Sequence, residues 1–454
     1  MTPALQEHLR SHGQGHLEEL RRLVAFETVG GQPGHEREMS ECARWLCSHL
    51  EASGFQTRVL DTPEHPVVLA ERLDAGPDAF TVLVYGHYDV QPVEPLELWT
   101  APPFELTERN GDLFGRGAAD MKGNLLIYLQ SLRAMHEETG SLPCNVRVLI
   151  EGNEESNPYA LDWVAESHAD ALKADAVVIA DGGIAGIDDP SVTIGVRGMA
   201  ALRVRVTTAS HDLHSGQYGG AVPNAAAALS RLLATLHDDD GRVLVDGFYD
   251  AVVDMGPEDS VDPGAILRES GASELVGDPA FTPGERTRTR PTVEIVGIEG
   301  GYTGEGLKTI VVAQAEAVIS CRLVLNQDAN EIIDLVSAHL KKYAPKGAKV
   351  EIPWTLPGAW PALSDADGPA PTAGLAALAE TWGRSARPVL TGGSLPAAAI
   401  LSKAAEAPFV NVAFSLPTSR AHAPDEHLPR ELFERGHEVV CRMLSLLGRG
   451  NTRA

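Results

Sequence analysis

Three short apolar runs in this chain each end in acid or imidazole, and that recurrence constrains the fold more than any other feature. Thr81–Tyr85 (TVLVY) leads into His87 and Asp89. Val146–Ile150 (VRVLI) leads into Glu151, Glu154 and Glu155, and Ala176–Ala180 (AVVIA) leads into Asp181. Each run is rich in β-branched residues and too short for a helix, the pattern of a strand buried on both faces. Helical patterns lie between them, so the units are βαβ and the sheet is parallel. Ligands of open α/β sheets bind beyond the carboxyl ends of the strands. Three such ends, all carrying metal-type ligands, point at one place. A fourth run, Phe409–Phe414, is followed by His422. Any one could be chance; the four together favour a metal site over solvated loops.

The densest part is Val84–Gly123. His87 and Asp89 stand two apart, which in extended chain puts both side chains on one face. A carboxylate beside a ligating imidazole fixes the ring; alone, the pair fits a surface loop equally well. Asp120 sits among Gly and Ala just before a helical pattern that runs to about Met135. Glu154 and Glu155 are adjacent, so in extended backbone they diverge: one can ligate a metal while the other points elsewhere.

Upstream, residues 14–27 carry Leu17, Leu20, Leu23 and Val24 at helical spacing. Residues 35–52 carry Met39, Cys42, Ala43, Leu46 and Leu50, with Cys47 off that stripe and Gly54 closing it. Strands are expected at Gln56–Leu60 and Val67–Ala70. From about Val196 the pattern changes. Strands at Met199–Thr208, Thr292–Ile298, Ala315–Leu325 and Lys349–Ile352 alternate with helices at Ala221–Leu236 and Asn330–Tyr343. This β-α-β-β-α-β order predicts a ferredoxin-like α+β domain, residues 196–358, inserted into an α/β domain of residues 1–195 and 359–454. Residues 238–290 are expected to be irregular. A linker at Pro361–Pro371 returns the chain to the first domain, which is expected to supply a helix at Thr372–Gly383, the loop Thr391–Pro396 and a last helix at Glu431–Leu447.

The net charge of −26 comes with no Lys/Arg cluster, which argues against nucleic acid or anionic lipid as a partner. No apolar run approaches the length of a membrane span, and the first residues lack the apolar core of a secretory signal. Five scattered cysteines fit neither a disulfide framework nor a zinc knuckle. A cytoplasmic protein is expected. No GxSxG elbow, P-loop or dinucleotide fingerprint competes with the metal reading.

The candidate ligands lie in the motifs GHYDVQP, GRGAADMKG, EGNEES, ADGG, HDLHSGQYGG, GGYTGEGLKT, TGGSLP and AHAPDE, spread from Gly86 to Glu426. In this order they resemble the dinuclear-zinc family of aminoacylases, glutamate carboxypeptidases and carnosinase-type dipeptidases. HDLHSGQYGG and GYTGEGLKT lean toward the dipeptidase branch. The resemblance implies that His87 and Asp181 hold one zinc ion, that Glu155 and His422 hold a second, and that Asp120 bridges them. Manganese or cobalt would suit the same N and O donors. It implies Glu154 as general base, Asp89 as the residue that orients His87, and a cis peptide between Asp120 and Met121. The two ions bring four positive charges; Asp120, Glu155, Asp181 and a bridging hydroxide balance them, as a partly buried cleft requires. The implied activity is hydrolysis of dipeptides or short peptides by that hydroxide. The alternative within the family is an N-acyl-amino-acid deacylase.

By the same resemblance, His214 reaches the active site of the other subunit of a homodimer, built through the inserted lid domain, and stabilises the oxyanion. Read alone, it is a loop histidine; neighbouring His211 matches no functional position. Arg322 is implied to clamp a substrate carboxylate, supplemented by Thr309 and Ser394. Read alone, it is a solvent-facing Arg on a strand. One departure stands out: dipeptidases usually read KTVIP where this chain reads Lys308-Thr-Ile-Val-Val. A non-catalytic binding protein on the same fold would be free to lose Glu154 or a ligand, and none is lost.

Overall fold

Helix Glu36–Ala52 buries Met39, Cys42, Ala43, Leu46 and Leu50 on one stripe. Cys47, expected off that stripe, is buried as well. After the helix, Gly54 takes a φ of 81°, open to glycine at little cost, and the chain turns into strand Gln56–Leu60. The computed structural model describes residues 1–156, 159–256, 258 and 261–449. It divides into two units: Met1–Ile194 with Leu363–Val389 and Ala397–Ala454, and Gly195–Ala362 with Leu390–Pro396.

The large sheet of the first unit has at its centre Asn145–Glu151, Thr81–His87, Ala176–Ile179 and Phe409–Asn411, in that spatial order and all parallel. Antiparallel strands flank them: Val67–Arg72 and Gln56–Leu60 on one side, Ser191–Val196 on the other. The expected βαβ pattern is present. His87 is paired with Glu151, and Tyr85 with Ile179, so three of the four strand ends bearing candidate ligands lie side by side. Helix Lys122–Thr139 is buried almost all round from Lys122 to Met135 and packs against strand Thr81–His87 and helices Gly13–Val24 and Arg430–Arg449. A helix without a polar face belongs in a core, and this one fixes the height of Asp120 just before it.

The second unit carries an antiparallel sheet in the order Thr292–Gly300, Gln314–Leu323, Gly198–Thr207, Lys349–Ala359. With helices Ala225–Leu233 and Ala329–Lys342 the chain order is β-α-β-β-α-β, the expected ferredoxin-like arrangement. Along Gln314–Leu323 every second residue is buried, from Ala315 to Leu323, against Leu229, Leu232, Ile332, Val336 and Leu340. Burying each such aliphatic side chain contributes about 1.5–3 kcal/mol. Cys321 is part of this core, which leaves Arg322 on the opposite face.

Three expectations need correction. Residues 238–290 are not wholly irregular: helices Pro263–Ser270 and Pro283–Arg288 form there, capped by the side chains of Asp262 and Thr282 with proline in the first turn. The loop Thr391–Pro396, assigned from sequence to the first domain, packs with the second unit, because Arg197 donates from its backbone N–H to Gly393 O and from Nε to Gly392 O. The chain returns to the first unit at Leu363 rather than at residue 359. Among the described residues, no helix is long and apolar enough to cross a membrane.

Candidate metal centre

His87 is the last residue of its strand and is fully buried. Its Nδ1–H donates to the backbone carbonyl of Asp89 at 3.1 Å, with the Asp89 carboxylate 3.4 Å away. The other oxygen of that carboxylate accepts the Glu155 N–H at 3.0 Å. Asp89 therefore fixes the imidazole and the Glu155 backbone together. The lone-pair side of the ring, Nε2, meets no hydrogen-bond donor or acceptor in proper geometry. It faces Asp120 Oδ1 at 3.4 Å and Asp181 Oδ2 at 3.8 Å.

Asp120 presents its second oxygen to His422 Nε2 at 2.9 Å, and that nitrogen lies 3.1 Å from Glu155 Oε1. Two sets of ligand atoms thus share Asp120: His87, Asp120 and Asp181 in one, Asp120, Glu155 and His422 in the other, each mutually within 4.8 Å. His422 adopts a left-handed backbone, φ 62°, and the Asp120–Met121 peptide is cis. Gly183 explains the double glycine of ADGG: a Cβ there would stand 1.9 Å from Ser415 O, so only glycine lets the Asp181 loop meet the segment leading to His422.

Glu154 and Glu155 do not diverge on an extended backbone. Residues 154–156 form a turn, and both carboxylates come within 4.8 Å of the His87 ring nitrogen. They differ in company. Glu155 Oε2 accepts from the Gln91 amide at 2.8 Å, whereas the Glu154 carboxylate has no hydrogen-bond partner among the described residues.

Charge is strongly unbalanced here. Burial, reinforced by Asp120, pushes the Asp181 carboxyl up to about 7. Burial also lifts Glu154 well above the usual range, with Asp181, Glu155 and Asp120 adding to it. Hydrogen bonds to Asp120 and Glu155 raise His422 to about 10. Such crowding of acids calls for cations. The spacing suits them: N and O ligands about 2.1 Å from a tetrahedral zinc lie about 3.4 Å from each other, the observed His87–Asp120 separation. The residues fit a divalent metal centre.

The remaining candidates belong to the second unit. Arg322 Nη1 donates to Ser394 Oγ at 2.7 Å. Arg197 lies close to Arg322, and burial together with the Arg322 charge pushes the Arg197 guanidinium down to about 10. His214 pairs with Ile310 in a short ladder, and Ser215 N–H donates to Thr309 O at 3.1 Å, so His214 and Thr309 are neighbours. The ladder forms without the proline of KTVIP. Both residues are exposed, and His214 Nδ1 accepts the Gly216 N–H, leaving Nε2 without a hydrogen-bond partner among the described residues. Gln91, Arg197 and Glu426 were not singled out from sequence. Two of them lie inside quoted motifs, but nothing in spacing distinguishes a residue that holds a ligand from its neighbours.

Comparison with known proteins agrees with this geometry. The profile of Peptidase family M20/M25/M40 matches residues 83–446. A cysteinylglycine-S-conjugate dipeptidase of Corynebacterium striatum is 33% identical over 427 residues, covering 92% of each chain. A Cys-Gly metallodipeptidase of Schizosaccharomyces pombe is 32% identical over 447 residues, covering 93% of each. The solved M20 family metallo-carboxypeptidase of Sulfolobus solfataricus superposes with a TM-score of 0.85 at 28% identity, over 96% of this chain and 99% of that one. With most of its length inside the family profile and acids and imidazoles gathered at its strand ends, this chain belongs to Peptidase family M20/M25/M40 and is a metallopeptidase.

Proposed function

We propose that this protein is a dipeptidase with two divalent ions per subunit, zinc by preference and manganese or cobalt as substitutes. His87 and Asp181 would hold one ion, Glu155 and His422 the other, and Asp120 both. The observation that carries this reading is the position of Asp120, one oxygen toward His87 and the other 2.9 Å from His422. Such ions, when bound, acidify water and polarise the scissile carbonyl.

The chain's own groups do the rest. Asp89 keeps the proton of His87 on Nδ1, so that Nε2 offers its lone pair inward. Glu154, unpartnered beside the ligands, takes the proton of the attacking water and delivers it to the leaving amine. Arg322 and Ser394 receive the C-terminal carboxylate, with Thr309 as a further donor. Neither Arg322 nor Arg197 has an ion-pair partner among the described residues, so two adjacent guanidiniums await an anion in a chain of net charge −26. His214 acts in trans on the oxyanion. A homodimer through the inserted unit is supported by its edge strand Thr292–Gly300, which pairs on one side only among the described residues and exposes Val296 (65%) and Ile298 (63%). Native edges are normally short, charged or covered.

Relatives named as Cys-Gly dipeptidases favour a dipeptide over an N-acyl amino acid. A panel of dipeptides, their C-terminal amides and N-acetyl or N-succinyl amino acids tests this. Free dipeptides should be cleaved fastest, chelation should abolish cleavage, and zinc, cobalt or manganese should restore it. Faster turnover of acyl amino acids than of every dipeptide would replace this reading with a deacylase.

A further inference from the structure

Behind the ligands lies an acid with a different task. Glu426 is fully buried, and four donors saturate its carboxylate. Oε2 accepts from Arg116 Nη1 at 2.7 Å and from Gly117 N–H at 3.0 Å; Oε1 accepts from the N–H groups of Ala119 and Asp120, both at 2.9 Å. Its backbone carbonyl accepts the Gly115 N–H at 3.0 Å. Arg116, itself 1% exposed, uses Nη2 to reach Pro92 O at 2.9 Å, just past Asp89. One carboxylate–guanidinium pair therefore ties together the segments that carry His87 and Asp89, Asp120, and His422.

The His422 segment needs such a hold. Arg420, His422 and Asp425 all have φ between 57° and 62°. Non-glycine residues stay in that region only where their surroundings over-determine it. Asp425 fastens the same loop from outside, accepting from Thr100 N–H at 2.9 Å and from Thr100 Oγ1 at 2.6 Å.

We propose that Glu426, paired with Arg116, is a positioning residue of the metal centre: it binds no metal and touches no substrate, but sets Asp120 and His422 at the spacing the ions require. With both oxygens occupied by donors, it has no lone pair directed at a ligand. The inference rests on Asp120 and His422 being metal ligands.

The test uses full-length protein stripped of metal and titrated with zinc against a chromophoric chelator. Glu426→Gln keeps the shape but turns an NH2 toward backbone donors and leaves Arg116 without its charge partner. Zinc affinity should fall ~10–100-fold, the usual effect of losing a group that orients ligands. Turnover should recover at saturating zinc with KM unchanged. In the stripped protein, hydrogen exchange at the Gly117, Ala119 and Asp120 amides should quicken. A variant that melts earlier yet binds zinc as tightly as wild type would show a merely structural role and overturn the proposal. If Glu426→Gln does not fold, Arg116→Lys keeps a positive charge beside Glu426 but loses the second arm that reaches Pro92 O. A several-fold loss of zinc affinity is then expected, and unchanged affinity overturns the proposal. Wild-type protein that binds no zinc would instead remove the ligand assignment itself.

Discussion

Glu154 and Glu155 occupy the same turn, yet their surroundings give them different work. Glu155 is held by Gln91 and lies against His422, while Glu154 is free to exchange a proton. Glu154→Gln should therefore retain its divalent metal and the fold while lowering turnover about a hundredfold or more, since an amide cannot accept the proton of water. Metal analysis beside kinetics decides it: near-normal turnover, or turnover lost together with the metal, refutes the assignment. Arg322 is the corresponding test of substrate. Replacing the substrate carboxylate by an amide should cost about 1–3 kcal/mol in transition-state binding, the loss of a charge-assisted contact. Arg322→Ala should erase that difference, and Arg322→Lys should restore little of it, because an ammonium cannot form the bidentate fork. Equal discrimination in wild type and Arg322→Ala would place the carboxylate elsewhere.

The edge strand Thr292–Gly300 carries the prediction at the scale of elements. Val296→Lys with Ile298→Lys puts charge on the exposed edge without disturbing the buried side, where Val293 packs. Sedimentation should show monomer, and activity should fall if His214 works in trans. Mixing inactive His214→Ala subunits with inactive Glu154→Gln subunits should return activity through hybrid dimers; no recovery despite proven subunit exchange counts against trans action. The elements themselves were unevenly legible. Parallel strands buried on both faces leave unbroken apolar runs, so Thr81–His87, Asn145–Glu151 and Ala176–Ile179 could be read together with the candidate ligands that follow them. Helix Pro396–Ala405 was missed because its alanines carry little periodic contrast, and the helices at 263–270 and 283–288 because Asp, Gly and Pro dominate around them. The turn at 154–156 reversed the expected divergence of two carboxylates, since adjacency in sequence fixes direction only once the backbone is known. The Glu426 clamp was invisible for a similar reason: its donors are backbone amides some three hundred positions away.

At the scale of the whole molecule, buried imidazoles make stability depend on pH in a definite window. Helices Gly13–Val24, Lys122–Thr139 and Arg430–Arg449 meet around buried imidazoles. His437 stacks on His16 at 4.8 Å and donates from Nε2 to Gln130 Oε1 at 2.8 Å, while Glu19 receives both the Gln130 amide and the Arg133 guanidinium. Burial, with the charge of His16 adding to it, pushes the His437 imidazole down to about 3; burial and Arg133 push His16 and His49 down to about 4. In the unfolded chain each titrates near 6.5. Below that value the unfolded state binds more protons than the folded one, so the stabilisation is complete above about pH 6.5 and is lost as pH falls toward 4. The hydrogen-bonded Glu19, whose carboxyl is held low against its own burial by Arg133 and Gln130, is lost later, below its ordinary value of 4.5. An opposing effect exists, because protonation also relieves the repulsion of a net charge of −26. At 0.2 M salt the screening length is below about 10 Å, which mutes that repulsion but leaves buried groups nearly untouched. In metal-free protein the Asp181 carboxyl, pushed up to about 7, and the lifted Glu154 also act the other way, because the folded state takes up their protons before the unfolded chain does. The contribution of the buried imidazoles is therefore read as a difference between two proteins, each measured in chelator and salt. His437→Leu removes one of the titrating groups, so between pH 6.5 and 4.5 its Tm should change in a less destabilising direction than that of the wild type, whatever its starting value. An unchanged slope in that variant would contradict the role given to these buried histidines.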